Sequence, residues 1–145
     1  MCDKCNYAKM LQAGGLEPTP LREAVFRSVG EESRPLMAAE IMTRVQNRMS
    51  INKVTLYRIL GLLVERGMLR RLSAGGRAWR YGMGASFHHP DHPHFVCRQC
   101  GRIECLEPDL LPLDLKRYHA KGKGLITHVD VRFEGTCKKC LHGSA

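Results

Sequence analysis

The stretch INKVTLYRILGLLVERGMLRRLSAGGRAWRY, residues 51–81, decides the fold. Its first part predicts a helix over about 52–66 that Ser50 caps and Gly67 ends. Three leucines at the i, i+4 and i+7 spacing form the buried stripe of this helix: Leu56, Leu60 and Leu63. Its second part predicts two short strands, MLRRL and RAWRY, that a glycine turn over residues 73–76 joins into a hairpin.

Two shorter helices are predicted upstream of this stretch. Thr19 and Pro20 mark the start of the first one as N-cap and first helical residue, and it stops by Gly30. The second helix covers residues 37–48, and its apolar stripe is Met37, Ile41 and Val45. Three helices followed by a two-stranded hairpin are typical of a winged helix-turn-helix, whose third helix enters the major groove of DNA.

The charge of the chain supports that interpretation. The 145 residues are 43% hydrophobic and carry 23 Lys and Arg against 14 Asp and Glu, a net charge of +9. Residues 1–85 hold 14 basic and 7 acidic side chains, whereas residues 86–145 hold 9 and 7. This excess indicates a polyanionic partner, with nucleic acid ahead of an acidic membrane surface. The alternative is a solvated basic face on an ordinary helical domain.

The candidate DNA contacts lie mainly on the predicted third helix and hairpin. Tyr57 and Arg58 are expected to read base edges and the sugar–phosphate backbone, although Tyr57 could instead pack in the core. Three arginines are expected to contact phosphates, which position the domain without reading sequence: Arg70, Arg71 and Arg77. The remaining candidates are Arg22, Lys53 and Thr55.

The cysteines must be interpreted together with the compartment. No apolar run approaches the ~20 residues of a membrane span, and the N-terminus lacks the apolar core of a signal peptide. We therefore expect a cytoplasmic protein without membrane contact. In a reducing compartment, seven cysteines indicate metal ligands or redox centres before disulfides. Cys2 and Cys5 form a CxxC near the N-terminus that we interpret as accessory or inert.

Two further CxxC knuckles, CRQC (97–100) and CKKC (137–140), predict a second functional unit. Four thiolates from two tight turns suit a structural Zn²⁺ site, formed by Cys97, Cys100, Cys137 and Cys140. The alternatives are a thioredoxin-like redox pair and a disulfide. Between the knuckles we predict a hairpin turning at Gly101, a helix ending at Gly122 and a strand over 125–135. The second knuckle would fasten that strand to the first, and the open sheet edge indicates a dimer.

A histidine-rich run, HHPDHPH (88–94), predicts a second metal site. His92 and His94 alternate with Pro93, so on an extended segment both side chains point to one face. The alternative is a solvent-exposed polar linker whose histidines bind nothing. Small residues near 82–86 mark the boundary between a winged-helix DNA-binding domain, residues 1–85, and a metal-binding and dimerisation domain, residues 86–145. The predicted class is α+β, a winged helix-turn-helix followed by a small α/β unit with a four-cysteine zinc site.

The motifs LEPTPLREAVF, INKVTLYRILGLLVERGML, HPHFVCRQCG and the closing CKKC occur in an order that resembles the ferric uptake regulator (Fur) superfamily of metal-sensing repressors. The resemblance covers about residues 8–140. It implies a winged-helix domain, a hinge and an α/β dimerisation domain. It also implies a homodimer whose DNA affinity rises when a regulatory metal binds at the hinge.

Carried over residue by residue, the resemblance matches the four knuckle cysteines to the structural zinc ligands. It matches His92 and His94 to two regulatory-site histidines, and Tyr57 and Arg58 to the recognition-helix pair. The family's usual glutamate after the first knuckle is here Cys105. Because a thiolate with imidazoles favours Zn²⁺, we predict a regulatory site of His92, His94 and Cys105 with His89 or, alternatively, His88. The alternative for Cys105 is a buried free thiol.

Three further departures from the family pattern matter. Iron- and peroxide-sensing members of the family usually have a histidine just before the second helix of the helix-turn-helix. The matching stretch here, residues 34–36, contains no histidine. A secondary metal site is in doubt because Asp91 and Pro93 occupy its places, although His128 remains. Glu17 replaces a basic residue of the first loop, which puts a minor-groove contact in doubt.

The predicted function is a metal-dependent transcriptional repressor that binds palindromic operator DNA as a homodimer. Zn²⁺ is the expected co-repressor, as in the zinc uptake regulator branch, in control of zinc homeostasis. An Fe²⁺- or Mn²⁺-responsive regulator of the same fold is the first alternative. A zinc-dependent nucleic-acid enzyme, such as a deaminase, is the different-class alternative, but it needs an H-x-E pair that HPDHPH does not offer. An RNA-binding zinc module leaves the histidines unexplained, and we expect neither catalysis nor an organic small-molecule ligand.

Overall fold

The computed structural model describes residues 5–75, 78–85, 92–110, 117, 122, 124–126 and 129–143. The helices that lie wholly within these residues are α1 (Tyr7–Ala13), α2 (Pro20–Gly30), α3 (Ala38–Gln46), α4 (Lys53–Glu65) and α5 (Lys138–Leu141). The strands are β1 (Leu36–Met37), β2 (Leu69–Leu72), β3 (Arg80–Met83), β4 (His94–Cys97), β5 (Ile103–Cys105) and β6 (Arg132–Gly135). A 3₁₀ turn covers Pro108–Leu110. The mixed α+β class is confirmed.

The start of α2 is as predicted, but that of α4 is not. Thr19 caps α2, and its hydroxyl oxygen accepts a hydrogen bond from the Arg22 N–H at 3.3 Å. The prediction that Ser50 caps α4 is wrong. Asn52 is the cap, because its side-chain oxygen lies 2.8 Å from the Thr55 N–H, which the first helical turn leaves without a backbone acceptor.

The helices of the N-terminal half pack around one apolar core. The predicted stripe of α4 is buried as expected: Leu56, Leu60 and Leu63. Helix α2 contributes Phe26, and α3 contributes Ile41, whose side chains are also fully buried. Burial of such side chains contributes ~1.5–3 kcal/mol each relative to exposure. This core therefore fixes α4 against α2 and α3 and leaves the opposite face of α4 toward solvent.

Two elements of this half were not predicted. Helix α1 is only seven residues long, and its Tyr7 ring packs edge-on against Phe26 at a centroid distance of 5.2 Å. Strand β1 has two residues and pairs antiparallel with β3, so that Leu36 opposes Tyr81. The hairpin β2–β3 therefore extends into a three-stranded sheet of order β1-β3-β2. Its second strand begins at Arg80, three residues later than the predicted RAWRY strand.

The second sheet has the order β5-β4-β6. The hairpin β4–β5 turns at Gly101 as predicted, and this buried glycine has a φ of +74° that other residues rarely adopt. Strand β6 pairs in parallel with β4, so the last strand is fastened to the first. The predicted strand over 125–135 is wrong in length, since β6 begins only at Arg132. On the β5 side, the carbonyl oxygen of Pro93 accepts the Leu106 N–H at 2.9 Å, but proline has no N–H to donate in return.

The two sheets touch through an apolar seam. It consists of four buried side chains, two from each side: Leu72, Ala74, Val96 and Ile103. Gly84, one of the small residues at the predicted boundary, is buried and tightly packed. Gly84 donates its N–H to the Met68 carbonyl at 2.8 Å, and a Cβ at this position would overlap the Gly67 carbonyl oxygen. The division at residue 85 stays a prediction.

Among the helices that the structure describes, none combines the length and the apolar character that crossing a membrane would require.

Asn52→Ala is expected to lower the free energy of unfolding by ~1 kcal/mol, because the N–H of Thr55 loses its acceptor at the start of α4. Urea denaturation followed by circular dichroism measures this change. Ser50→Ala is the control and should leave the midpoint almost unchanged. A larger effect of the serine substitution would contradict the assignment of the cap.

Candidate metal centres and basic surface

The two cysteine knuckles meet at one end of the second sheet. Cys97 ends β4, Cys100 lies in the following turn, Cys137 caps α5 and Cys140 lies within it. Parallel pairing sets Gly135 opposite Cys97, two residues before the second knuckle. The four sulfur atoms lie within 4.8 Å of one another, and those of Cys100 and Cys137 are 3.9 Å apart. The predicted thiol cluster is therefore assembled.

The size of this cluster fits a tetrahedral metal ion. With Zn–S bonds of ~2.3 Å, tetrahedral geometry places the sulfur atoms ~3.8 Å apart. That spacing is close to the 3.9 Å between Cys100 and Cys137. A disulfide would use only one pair of sulfurs, whereas all four converge here. The residues present thus fit a metal ion bound by four thiolates.

The protonation of the thiols points the same way. N–H groups of the backbone at Cys100 and Cys137 hydrogen-bond to Cys97 and lower its pKa to about 6, against the opposing effect of burial. The Cys137 N–H lies 3.4 Å from that sulfur. Desolvation, together with the neighbouring sulfurs, raises the pKa of Cys140 to about 12. A divalent cation bound among the four sulfurs would counteract this rise in pKa, because its positive charge stabilises the thiolate form of Cys140.

A second cluster lies at the other end of β4. His94 begins β4 and is the register partner of Cys105, the last residue of β5. His92 lies two residues before His94, and their ring centroids are 4.6 Å apart. One ligand atom from each of His92, His94 and Cys105 lies within 4.8 Å of the others. The prediction that alternation around Pro93 brings both imidazoles to one face is confirmed.

The chemistry of this cluster suits a metal. Burial of His94, together with the nearby His92, lowers its pKa to about 4, so the ring is in the neutral form that can bind a metal. Within the part of the chain that the structure describes, the buried Nδ1 of His94 has no hydrogen-bond partner. Cys105 is exposed by its surface area, yet packing around its sulfur desolvates the thiolate and raises the pKa. The alternative of a free Cys105 thiol that binds no metal stays a prediction.

The side chains of His92, His94 and Cys105 line a small cleft together with residues of the N-terminal half. The cleft has a volume of about 60 Å³, and the charged residues of the N-terminal half that line it are Glu32, Arg34 and Arg70. The sequence reasoning did not identify Glu32, which also forms an ion pair with Arg44 at 2.9 Å. No local spacing signals it, because Glu32 reaches this cleft only through the packing of the two halves.

Six residues named in the sequence analysis lie outside the described residues: Cys2, Arg77, His88, His89, Asp91 and His128. Their expected roles therefore stay predictions. Cys5, by contrast, packs partly buried against the N-terminal core.

The outer face of α4 forms the basic surface. Lys53, Val54, Tyr57 and Arg58 line a shallow depression there. Tyr57 is 48% exposed, so the alternative of a core tyrosine is wrong. Thr55 and Arg70 are half-buried, whereas Arg71 is exposed. The exposed Val54 was missed, although an apolar residue outside the leucine stripe signals such a position.

Two other predicted DNA contacts are held by neighbouring groups. The Arg71 guanidinium lies over the half-exposed ring of Trp79 at 5.2 Å, which stiffens the hairpin surface. The Arg22 guanidinium donates to the Glu17 carbonyl oxygen at 2.9 Å. Both side chains remain at the surface of the N-terminal half.

Known proteins are similar to this chain in sequence and in fold. A sequence model of the ferric uptake regulator family matches residues 13–132. The ferric uptake regulation protein of Bacillus subtilis (strain 168) is 30% identical over 138 residues, 91% of this chain and 90% of that protein. The peroxide-responsive repressor PerR of Staphylococcus aureus (strain Mu50) is 26% identical over 132 residues, 90% and 86% of the two chains. The ferric uptake regulator Fur of Helicobacter pylori, described as revealing three functional metal binding sites, superposes with a TM-score of 0.71 at 21% identity. That superposition covers 92% of this chain and 87% of that one and shows the shared fold.

Cys140→Ser is expected to lower the tightly held metal by about one ion per chain, since three thiolates bind far more weakly than four. Elemental analysis after dialysis against a mild chelator measures it. Cys5→Ser is the matched control and should keep the wild-type content. Equal metal in both variants would contradict a metal ion among the four sulfurs.

Proposed function

Because the chain belongs to the ferric uptake regulator family, we propose that it is a metal-dependent transcriptional repressor that binds palindromic operator DNA as a homodimer. The observation that carries the proposal is the position of the second ligand cluster. His92, His94 and Cys105 belong to the predicted metal-binding domain, residues 86–145. They nevertheless line the same cleft as side chains of the predicted DNA-binding domain, residues 1–85. A ligand that binds better when this cleft is closed favours the closed conformer.

The basic surface on α4 is the part of the chain that would contact DNA. Tyr57 and Arg58 project from α4, which the apolar core holds in place from behind. Two such helices in a symmetric dimer meet half-sites about one helical turn of DNA apart, so their separation must be fixed. A metal in the cleft would restrict the angle between the halves and thereby this separation.

We propose Zn²⁺ as the regulatory metal. The support is Cys105, because a thiolate beside two imidazoles suits Zn²⁺ better than Fe²⁺ or Mn²⁺. His88 or His89 is the fourth ligand expected from the sequence, and Glu32 is a carboxylate that lines the same cleft. A regulator responsive to Fe²⁺ or Mn²⁺ is the second candidate, and the name of the Bacillus subtilis relative, a ferric uptake regulation protein, favours iron.

A regulator also accounts for more of the chain than an enzyme does. The two clusters and the basic surface each have a role in metal-gated DNA binding. A zinc deaminase uses an H-x-E pair beside its knuckle, which the sequence before Cys97 lacks.

Zn²⁺ is expected to raise the affinity for operator DNA, selected from a random pool, whereas Mn²⁺ and Fe²⁺ raise it less. Fluorescence anisotropy after chelation measures this response. Cys105→Ser should increase the Zn²⁺ concentration for half-maximal binding by at least about tenfold while the metal at the four knuckle cysteines stays bound. Cys5→Ser serves as control. A response to Fe²⁺ or Mn²⁺ alone would exclude the zinc assignment, and affinity unchanged in chelator would exclude metal gating.

Arg58→Ala is expected to cost ~1–3 kcal/mol of binding to the selected operator and much less on random DNA, if Arg58 reads base edges. Arg98→Ala, a change at an exposed arginine of the metal half, is the control and should change neither affinity. An equal loss on both DNAs would reduce Arg58 to a phosphate contact.

A further inference from the structure

A second connection between the halves lies away from the cleft, at the side chain of Arg80. This arginine belongs to β3, and its side chain is only 11% exposed. Its Nε donates to the carbonyl oxygen of Gly101 at 3.0 Å. Gly101 closes the first cysteine knuckle, where its own N–H donates to the Cys97 carbonyl at 2.8 Å. Arg80 therefore holds the turn that positions Cys97 and Cys100.

The same guanidinium reaches the start of α3. Its Nη1 lies 4.0 Å from Oε2 of Glu40. That oxygen accepts the Met37 N–H at 2.8 Å and so caps α3, while Oε1 pairs with Arg34 at 2.7 Å. Burial raises the pKa of Glu40, but the hydrogen bonds from Arg34 and Met37 outweigh it and hold the pKa below its usual value. The carboxylate is therefore ionised at neutral pH.

The surroundings of Arg80 strengthen these contacts. Leu72, a member of the apolar seam, is the cross-strand partner of Arg80, and the arginine side chain is largely buried. Charge-assisted hydrogen bonds gain strength where the local dielectric is low. The planar guanidinium hydrogen-bonds to Gly101 through Nε and forms an ion pair with Glu40 through Nη1. A lysine ammonium reaches two such separate partners less well.

We propose that Arg80 is a positioning residue that couples the first cysteine knuckle to helix α3, so that the order of the knuckle sets the orientation of the helix-turn-helix. The coupling runs from the turn at Gly101 through Arg80 and Glu40 to the first turn of α3. It rests on the proposed function, because it gives the four-cysteine centre a part in DNA binding besides stabilising its own sheet. Metal loaded at the four cysteines keeps the turn at Gly101 fixed and thus keeps the acceptor for Arg80 in place.

The test uses full-length, zinc-loaded protein and hydrogen–deuterium exchange read by mass spectrometry. Arg80→Met retains the length of the side chain and removes its polar contacts. We expect it to speed exchange at least about threefold in residues 36–46 and in residues 98–102, on both sides of the junction. Arg102→Met is the matched control, since its partly exposed side chain pairs with Glu104 and, among the described residues, with no other acidic group, and it should leave residues 36–46 unchanged. Arg80→Lys should restore part of the protection.

Glu40→Gln distinguishes the proposed coupling from a purely local structural role of Arg80. In wild-type protein it should speed exchange at residues 98–102, which Glu40 does not contact directly, and in the Arg80→Met background it should add little there. An elemental count and the absorption spectrum of the Co²⁺-substituted four-cysteine centre verify that the metal site is intact. If Arg80→Met does not fold, Arg80→Lys and Glu40→Gln carry the same test.

Unchanged exchange at residues 36–46 in Arg80→Met, or strictly additive effects of the two substitutions, would overturn the coupling. Exchange is measured without DNA, so its outcome is separate from that of metal-gated DNA binding. If the coupling holds, Arg80→Met should also weaken operator binding at saturating zinc by about tenfold.

Discussion

The pairing of strand β4 with two neighbours at once is the constraint on which both candidate centres depend. Its first three residues pair antiparallel with β5, and all four pair in parallel with β6. His94 stands at its start and Cys97 at its end, about 10 Å apart along a strand that rises ~3.3 Å per residue. Because a paired strand is stiff, neither cluster can move without the other. The second sheet therefore behaves as one rigid unit, with a candidate ligand cluster at each end of β4.

The two halves of the molecule are joined by side chains that each serve a local purpose as well. Glu40 caps its own helix, and Arg80 belongs to the middle strand of its own sheet. The cleft combines histidines of one half with a carboxylate and arginines of the other. A change of angle between the halves therefore disturbs helix capping, a knuckle turn and a ligand set together. Because these contacts are shared between the two halves, the halves are expected to adopt discrete relative orientations and not a continuous range of angles.

Much of this arrangement was predictable from local spacing. The leucine stripe of α4, the Thr19 cap, the hairpin at Gly101 and the convergence of the four knuckle cysteines all follow from patterns within a few residues or from paired motifs. The errors arise where distant packing decides. Asn52 instead of Ser50 caps α4, and β6 begins only at Arg132, the residue that pairs with the first residue of its partner β4. Glu32 and the contacts of Arg80 join residues that no sequence period links.

The parallel position of β6 has a consequence for how the chain is made. Its residues follow those of β4 by more than thirty positions, and the second knuckle follows β6. Until residues 132–140 have left the ribosome, β4 has one neighbour and the first knuckle offers two thiols without their partners. Contacts between such distant segments form late and slowly. During that interval Cys97 and Cys100 are open to oxidation and to capture by other soft metals, so the cell's reducing power and metal supply bear on the yield of correctly assembled protein.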